Sequence, residues 1–297
     1  MSHLLHNDHL AVATDLDEAL LWLQGHPQAR VISGGTELLA DQALELFRPA
    51  GYLHIGRVAA LQAVQVGDDT IRIGAGVTIE QLGQGELAQA LPMLAQLART
   101  IATPQARRRG TVGGNLGGGL PDRSLAPALL ALGCSVTLHS AARGERSLPL
   151  QAFLQGRGRT ARAADELITS VVVQRRHGFQ RYTQVGPRAA LVYPTVATAL
   201  VVDPGNRWLA LGIANAADTA IRAEQAEQEA AARIHWDQNR LPTGLAEQFG
   251  QWAAEACNPC SDEQASAAYR RHAVAVMARR LLEDAFPSPS NERSTAP

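Results

Sequence analysis

Five of the seven residues from Gly113 to Gly119 are glycine, and no other feature restricts the possible folds of this chain more tightly. Ordering a backbone that carries no side chains is entropically expensive, so such a segment stays ordered only where something packs closely against it. A large flat ligand would do this. Leu116, Leu120 and a helix predicted from Asp122 to Leu132 argue against a freely moving tether. A second glycine segment, Ser33-Gly34-Gly35-Thr36-Glu37-Leu38, follows the apolar run Val31-Ile32. It is placed where a buried strand ends and a helix begins. There, Gly34 and Gly35 let successive N–H groups turn toward a phosphate oxygen, Thr36 adds a hydroxyl, and the helix start adds partial positive charge. A single Gly-Gly-Thr is only a turn signal. Neither segment fits the G-x-G-x-x-G dinucleotide fingerprint or the Walker A pattern.

Composition removes several chemistries. All 27 basic residues are arginine. Without lysine there is no Schiff-base nucleophile and no P-loop lysine, because arginine stays protonated and cannot replace an amine. Three cysteines, Cys134, Cys257 and Cys260, are too few and too scattered for a disulfide framework, an iron–sulfur cluster or an all-cysteine zinc site. Cys257-Asn-Pro-Cys260 reads as a proline-marked loop. The histidines include no His-Glu-x-x-His pair, so no metal site is predicted. A formal net charge of −1 gives no general field for nucleic acid or an anionic membrane, and Arg107-Arg108-Arg109 reads as a solvated turn or an internal anion contact. No apolar run is long enough to span a membrane and no leader opens the chain, which predicts a cytoplasmic protein.

Periodicity predicts three domains and a tail. Residues 1–56 form a small α/β unit, with Asp15 capping a helix through Leu23, strands at Arg30 to Ile32 and Tyr52 to Ile55, and a helix from Glu37 to Phe47 between those strands. Residues 57–176 form a larger α/β unit. It has a hairpin across Gly67-Asp68-Asp69, helices at Thr78 to Leu82 and Leu91 to Ile101, and strands at Cys134 to Leu138 and Leu167 to Val173. Residues 177–286 carry strands at Arg181 to Val185, Thr195 to Val202 and Trp208 to Ala214, followed by helices at Leu245 to Ala256 and Ser261 to Phe286. Residues 287–297 read as a disordered Pro/Ser tail.

Three distant segments resemble the FAD-binding medium subunits of carbon monoxide dehydrogenase, xanthine dehydrogenase and related molybdenum hydroxylases. Ser33 to Leu38 resembles that family's Ala-Gly-Gly-Thr-Asp-Leu element. Thr111 to Leu116, with Ala126-Pro127-Ala128-Leu129-Leu130-Ala131-Leu132 after it, resembles the Thr-Ile-Gly-Gly-Asn-Ile element. Ser261 to Leu282 is similar to the C-terminal helix, and the Ile71-Arg72-Ile73-Gly74-Ala75 hairpin extends the likeness to nearly the whole chain.

The resemblance implies an α+β fold, with a two-part FAD-binding α/β region of PCMH type followed by a C-terminal antiparallel sheet and covering helices. It implies FAD as cofactor, with one wall of its site made by Ile32, Ser33, Gly34, Gly35, Thr36, Glu37 and Leu38, the other by Thr111, Gly114 and Asn115, and Ile168 near the flavin. It also implies an iron–sulfur small subunit and a molybdenum-cofactor large subunit as partners, and an acceptor such as NAD. Ser124 stands where the family usually has aspartate, with Asp122 nearby. Thr183 stands where it often has a flavin-adjacent lysine, and Ala189-Ala190-Leu191 stands in place of an acidic residue. These departures motivate an alternative, a degenerate assembly subunit with weak or no FAD binding.

Overall fold

The computed structural model describes residues 5–7, 10–44, 46, 49–187 and 193–287; the expectations at Phe47, at Ala189 to Leu191 and for residues 288–297 lie outside these. The chain separates into two compact units, residues 1–119 with 133–175, and residues 120–132 with 176–297.

In the first unit, Leu5–Asn7 (β1), Leu10–Val12 (β2), Arg30–Ile32 (β3) and Tyr52–His54 (β4) form one sheet in the order β1-β2-β4-β3. β4 runs parallel to both β2 and β3, which leaves the segment after β3 at the C-terminal end of a parallel pair. Leu16–Gly25 (α1) starts where the Asp15 carboxylate accepts from the N–H groups of Asp17 and Glu18 at 2.9 and 3.1 Å, as its sequence predicts. α1 contributes Ala19, Leu20 and Leu23 to a core shared with Leu53 and Ile55. Leu38–Ala43 (α2) is shorter than expected and has no buried residue.

The larger sheet of this unit is wholly antiparallel. Val64–Val66 (β5), Thr70–Gly74 (β6), Ser135–Ser140 (β7), Gly144–Pro149 (β8) and Leu167–Gln174 run in the order β5, β6, 167–174, β7, β8. Leu154–Gly156 (β9) and Arg159–Thr160 (β10) form a separate hairpin, so the strand Leu167–Gln174 is β11. Ile71, Ile73, Val136, Leu138, Val171 and Val173 are all buried, and each such side chain contributes roughly 1.5–3 kcal/mol by leaving water. Leu167 joins the core of the small sheet, so the two sheets form one unit. Gly85–Ala90 (α3), Pro92–Ala98 (α4), Pro104–Arg107 (α5) and Val112–Gly117 (α6) connect β6 to the end of this unit's first stretch. Thr78 to Leu82 differs from expectation: Thr78 bridges to Thr111, and only a short 3-10 turn follows at Gln81–Gly83. The amide oxygen of Gln81 accepts from the Thr78 N–H and hydroxyl, which holds Thr78 extended.

The second unit is built on Phe179–Val185 (β12), Val196–Asp203 (β13), Trp208–Ala214 (β14) and Ile221–Arg222 (β15), antiparallel and in sequence order. β13 is buried at every position, because both faces of the sheet are covered. Val196, Leu200, Val202, Leu209, Leu211 and Ile213 pack in one core with residues of three helices. Strand alternation turns Ala199, Val201, Ala210 and Gly212 to the opposite face. That face meets Leu125–Ala131 (α7): a Cβ built on Gly212 would lie 1.9 Å from the Pro127 carbonyl oxygen, so only glycine admits the helix there. α7 is buried along its whole length, which is why residues 120–132 belong with this unit. After the short helix Leu150–Phe153 (α8) of the first unit, the remaining helices are Glu224–Ala231 (α9), Leu245–Glu255 (α10) and Ala267–Ala285 (α11). α11 starts later than expected, because the Asp262 carboxylate accepts from the N–H groups of Gln264 and Ala265 and makes a local turn. Arg270 on α11 is fully buried and reaches both Asp262 oxygens, at 2.7 and 2.6 Å.

Candidate cofactor site

Two segments that are 75 residues apart meet at Gly34. A Cβ built there would lie 1.8 Å from the Arg109 carbonyl oxygen, so any side chain would force the segments apart. The Arg109 side chain returns to the same place, its Nε donating to the Gly34 carbonyl at 3.1 Å. Ile32 is held in the sheet by the Ile55 N–H at 2.9 Å. Ser33 to Glu37 then turn over the end of β3, with Gly35 at φ +69°, and Leu38 opens α2. Thr36 is exposed, and Ile32, Ser33, Gly34, Gly35, Glu37 and Leu38 are half-buried. Among the described residues the N–H groups of Gly34, Gly35 and Thr36 have no acceptor.

The second segment is less like a loop than its glycines suggest. Residues 112–117 are helical, with Thr111 as N-cap: its Oγ1 accepts from the Gly114 N–H at 3.1 Å. Residues 75–79 hold it from one side, through Val112 N to Val77 O at 2.9 Å, Gly113 N to Ala75 O at 2.8 Å and Ile79 N to Gly110 O at 2.9 Å. With Asn115 N bonded to Thr111 O, every N–H from Val112 to Asn115 is used internally. What this segment offers outward is the bare, exposed face of Gly114 and the side chain of Asn115, whose buried Oδ1 has no partner among the described residues. Ile168 on β11 lies beside it, with its Cδ1 3.4 Å from a Cβ built on Gly117. The sequence-predicted residues therefore fall in one unit, on β3 and the turn after it, on α6 and on β11.

These observations fit a phosphate-bearing flat cofactor. Unused N–H donors in a glycine turn suit phosphate oxygens, while a glycine surface and an apolar side chain suit a ring system. Sequence reasoning did not connect three basic residues, His54, Arg57 and Arg109, with the first segment, although it read the arginine triplet as a solvated turn or an internal anion contact. The His54 ring, at the end of β4, lies 3.0 Å from a Cβ built on Gly56. Burial holds its pKa below the usual histidine value, helped by the charges of Arg57 and Arg109 and opposed by a hydrogen bond with the Ser33 main chain. Of the arginine triplet, Arg107 caps the carbonyls of Ile101 and Ala102, and Arg108 pairs with Glu80 at 3.1 Å. Only Arg109 turns to the glycine segment.

Two other expectations are located by the structure. Ser124 is hydrogen-bonded with Tyr182 within the second unit, and Thr183 is half-buried on β12. Cys257 is buried, its Sγ donating to the Ala253 carbonyl, and burial pushes its thiol up to about 12, which is unsuited to thiolate chemistry. Among the described residues no cluster of His, Cys, Asp or Glu could hold a metal ion, and no helix is long and apolar enough to cross a membrane.

Residues 7–174 match the family described as the FAD binding domain in molybdopterin dehydrogenase, and residues 181–285 match the CO dehydrogenase flavoprotein C-terminal domain. The chain belongs to this flavoprotein family. The flavoprotein is 31% identical over 282 residues to the alpha subunit of the 6-hydroxypseudooxynicotine dehydrogenase complex of Paenarthrobacter nicotinovorans, covering 93% of each chain. It is 29% identical over 283 residues to the putative xanthine dehydrogenase FAD-binding subunit of Escherichia coli K12, covering 92% of this chain and 94% of that one. Its fold superposes on carbon monoxide dehydrogenase from Hydrogenophaga pseudoflava with a TM-score of 0.84 at 24% identity, covering 95% of this chain and 98% of that one. The flavoprotein is thus an FAD-binding subunit of a xanthine/carbon monoxide dehydrogenase-type oxidoreductase, with the α+β fold its sequence predicts.

Proposed function

We propose that this flavoprotein holds FAD against Ile32 to Leu38 on one side and Thr111, Gly114 and Asn115 on the other, with Ile168 beside the flavin. In this reading it passes electrons between the iron–sulfur clusters of a small partner subunit and an external acceptor such as NAD, while a molybdenum-cofactor large subunit carries out the substrate chemistry. The observation that carries the site is the set of N–H groups at Gly34, Gly35 and Thr36 unused among the described residues, together with the buried Asn115 Oδ1, which has no partner there either. FAD supplies the one- and two-electron chemistry when bound; the chain's own residues bind, orient and shield it. No acid–base pair is required of this chain, so the isolated subunit is inactive on substrate.

The test is a visible absorption spectrum of the purified chain before and after incubation with FAD, repeated with Gly114→Trp, which fills the exposed glycine face. The expected result is oxidised-flavin bands in the wild type that are lost in the variant. A degenerate assembly subunit predicts instead a colourless chain that takes up no FAD, and that outcome would reject the proposed site.

A further inference from the structure

Two guanidinium groups, those of Arg109 and Arg57, and the imidazole of His54 lie at the first glycine segment. Among the described residues Arg109 donates to the Gly34 carbonyl through Nε alone, and the other nitrogens of its guanidinium have no partner. Arg57 directly follows the β4 end and is exposed. Among the described residues neither arginine has an ion-pair partner, although Arg108, next in sequence, is paired with Glu80. Both charges act on His54, whose Nδ1 is buried without a partner among the described residues and whose ring is bonded to the Ser33 main chain. Among the described residues the groups acting on this imidazole are Arg57 from its own loop, Arg109 from the segment before α6, and the Ser33 main chain from the turn after β3.

Two guanidinium groups beside a turn whose N–H groups are unused are complementary to an anion. Resting on the reading that FAD lies against this turn, we propose that Arg109 and Arg57 form a cationic seat for the diphosphate of FAD, with His54 as a positioning residue that takes up a proton when the diphosphate arrives. The orphaned Nδ1 is where that proton goes, and solvent supplies it. In the free chain the two arginines disfavour the imidazolium; the bound diphosphate reverses the sign of the field. Arg109 acts twice, through its charge and through the bond to Gly34 that holds the turn in place. Occupation of the seat thus couples FAD affinity to both salt and pH.

The experiment titrates apoprotein with FAD by calorimetry near pH 6.5, in buffers of differing ionisation heat, with inorganic pyrophosphate as competitor. Net proton uptake is expected in the wild type. Its FAD affinity should strengthen as pH falls toward the free His54 value, by at most about tenfold per pH unit. His54→Asn should bind FAD with an affinity independent of pH and with no uptake. Arg109→Gln should weaken FAD about tenfold, as expected for losing a charge-assisted contact, and should flatten the salt dependence. Arg109→Lys should keep the salt dependence while losing part of the affinity, which separates charge from latch; circular dichroism checks that each variant folds. If the wild type binds FAD without His54-dependent proton uptake, and Arg109→Gln binds as tightly at every salt concentration, this inference is wrong and the FAD site stands. If the wild type takes up no FAD, the site itself fails, and the cationic seat with it.

Discussion

Gly34 is the residue on which the candidate site turns, because two main chains touch there. Gly34→Ala places a methyl 1.8 Å from the Arg109 carbonyl, a backbone atom that cannot rotate aside. We expect a loss of about 1–3 kcal/mol of stability, the usual range for overpacking, together with lost flavin retention. Gly25→Ala, where nothing lies within 4 Å, should leave both unchanged. Thermal melts and flavin content of the purified variants read both effects, and an unchanged Gly34→Ala would mean that the two segments do not meet there. At this scale the sequence was legible where the interaction is local. Asp15 caps a helix that begins beside it, so composition and spacing suffice; Thr111 caps one too, but the glycines after it concealed that helix. The sequence left the arginine triplet as a solvated turn or an internal anion contact and did not place His54, Arg57 or Arg109 beside the first glycine segment, because no periodicity relates Arg109 to Gly34.

Elements were legible where one face is buried and illegible where a distant partner decides. β6, β11, β13 and β14 follow their apolar patterns closely. Residues 112–117 read as a loop, since glycine disfavours helix by about 1 kcal/mol per residue; the pairing with residues 75–79 fixes them as a helix anyway. The start of α11 was misplaced for a related reason, as the Asp262 turn competes with helix formation. That turn also neutralises Arg270. Asp262→Ala leaves a fully buried guanidinium without its carboxylate and should cost about 3 kcal/mol in a urea melt. The double variant Asp262→Ala with Arg270→Met should recover most of that loss. Additive losses would show instead that the pair is not coupled.

At the scale of the whole molecule, the chain passes from one unit to the other three times, at residues 119–120, 132–133 and 175–176. The second unit is therefore not a separable C-terminal piece. A fragment of residues 176–287 lacks α7, leaving one face of β13 and β14 bare, and should be poorly folded by circular dichroism and readily proteolysed. The same fragment with residues 120–132 fused ahead of it should regain protection; a stable, protected 176–287 fragment would contradict this assignment. Sequence patterns assign α7 to the middle of the chain because its neighbours in sequence are there. Only the close approach of Pro127 to Gly212 reveals where it packs.

That placement sets an order of events at the ribosome. α7 carries seven buried residues, from Leu125 to Ala131, yet the strands it packs against, β13, β14 and β15, are complete only at Arg222. During synthesis the first unit can close around its own strands once residue 175 has emerged, while α7 remains looped out of it with its apolar surface bare. The newborn chain therefore passes through a stage in which most of the flavin-binding unit is assembled and one sticky helix waits for strands that have yet to be translated.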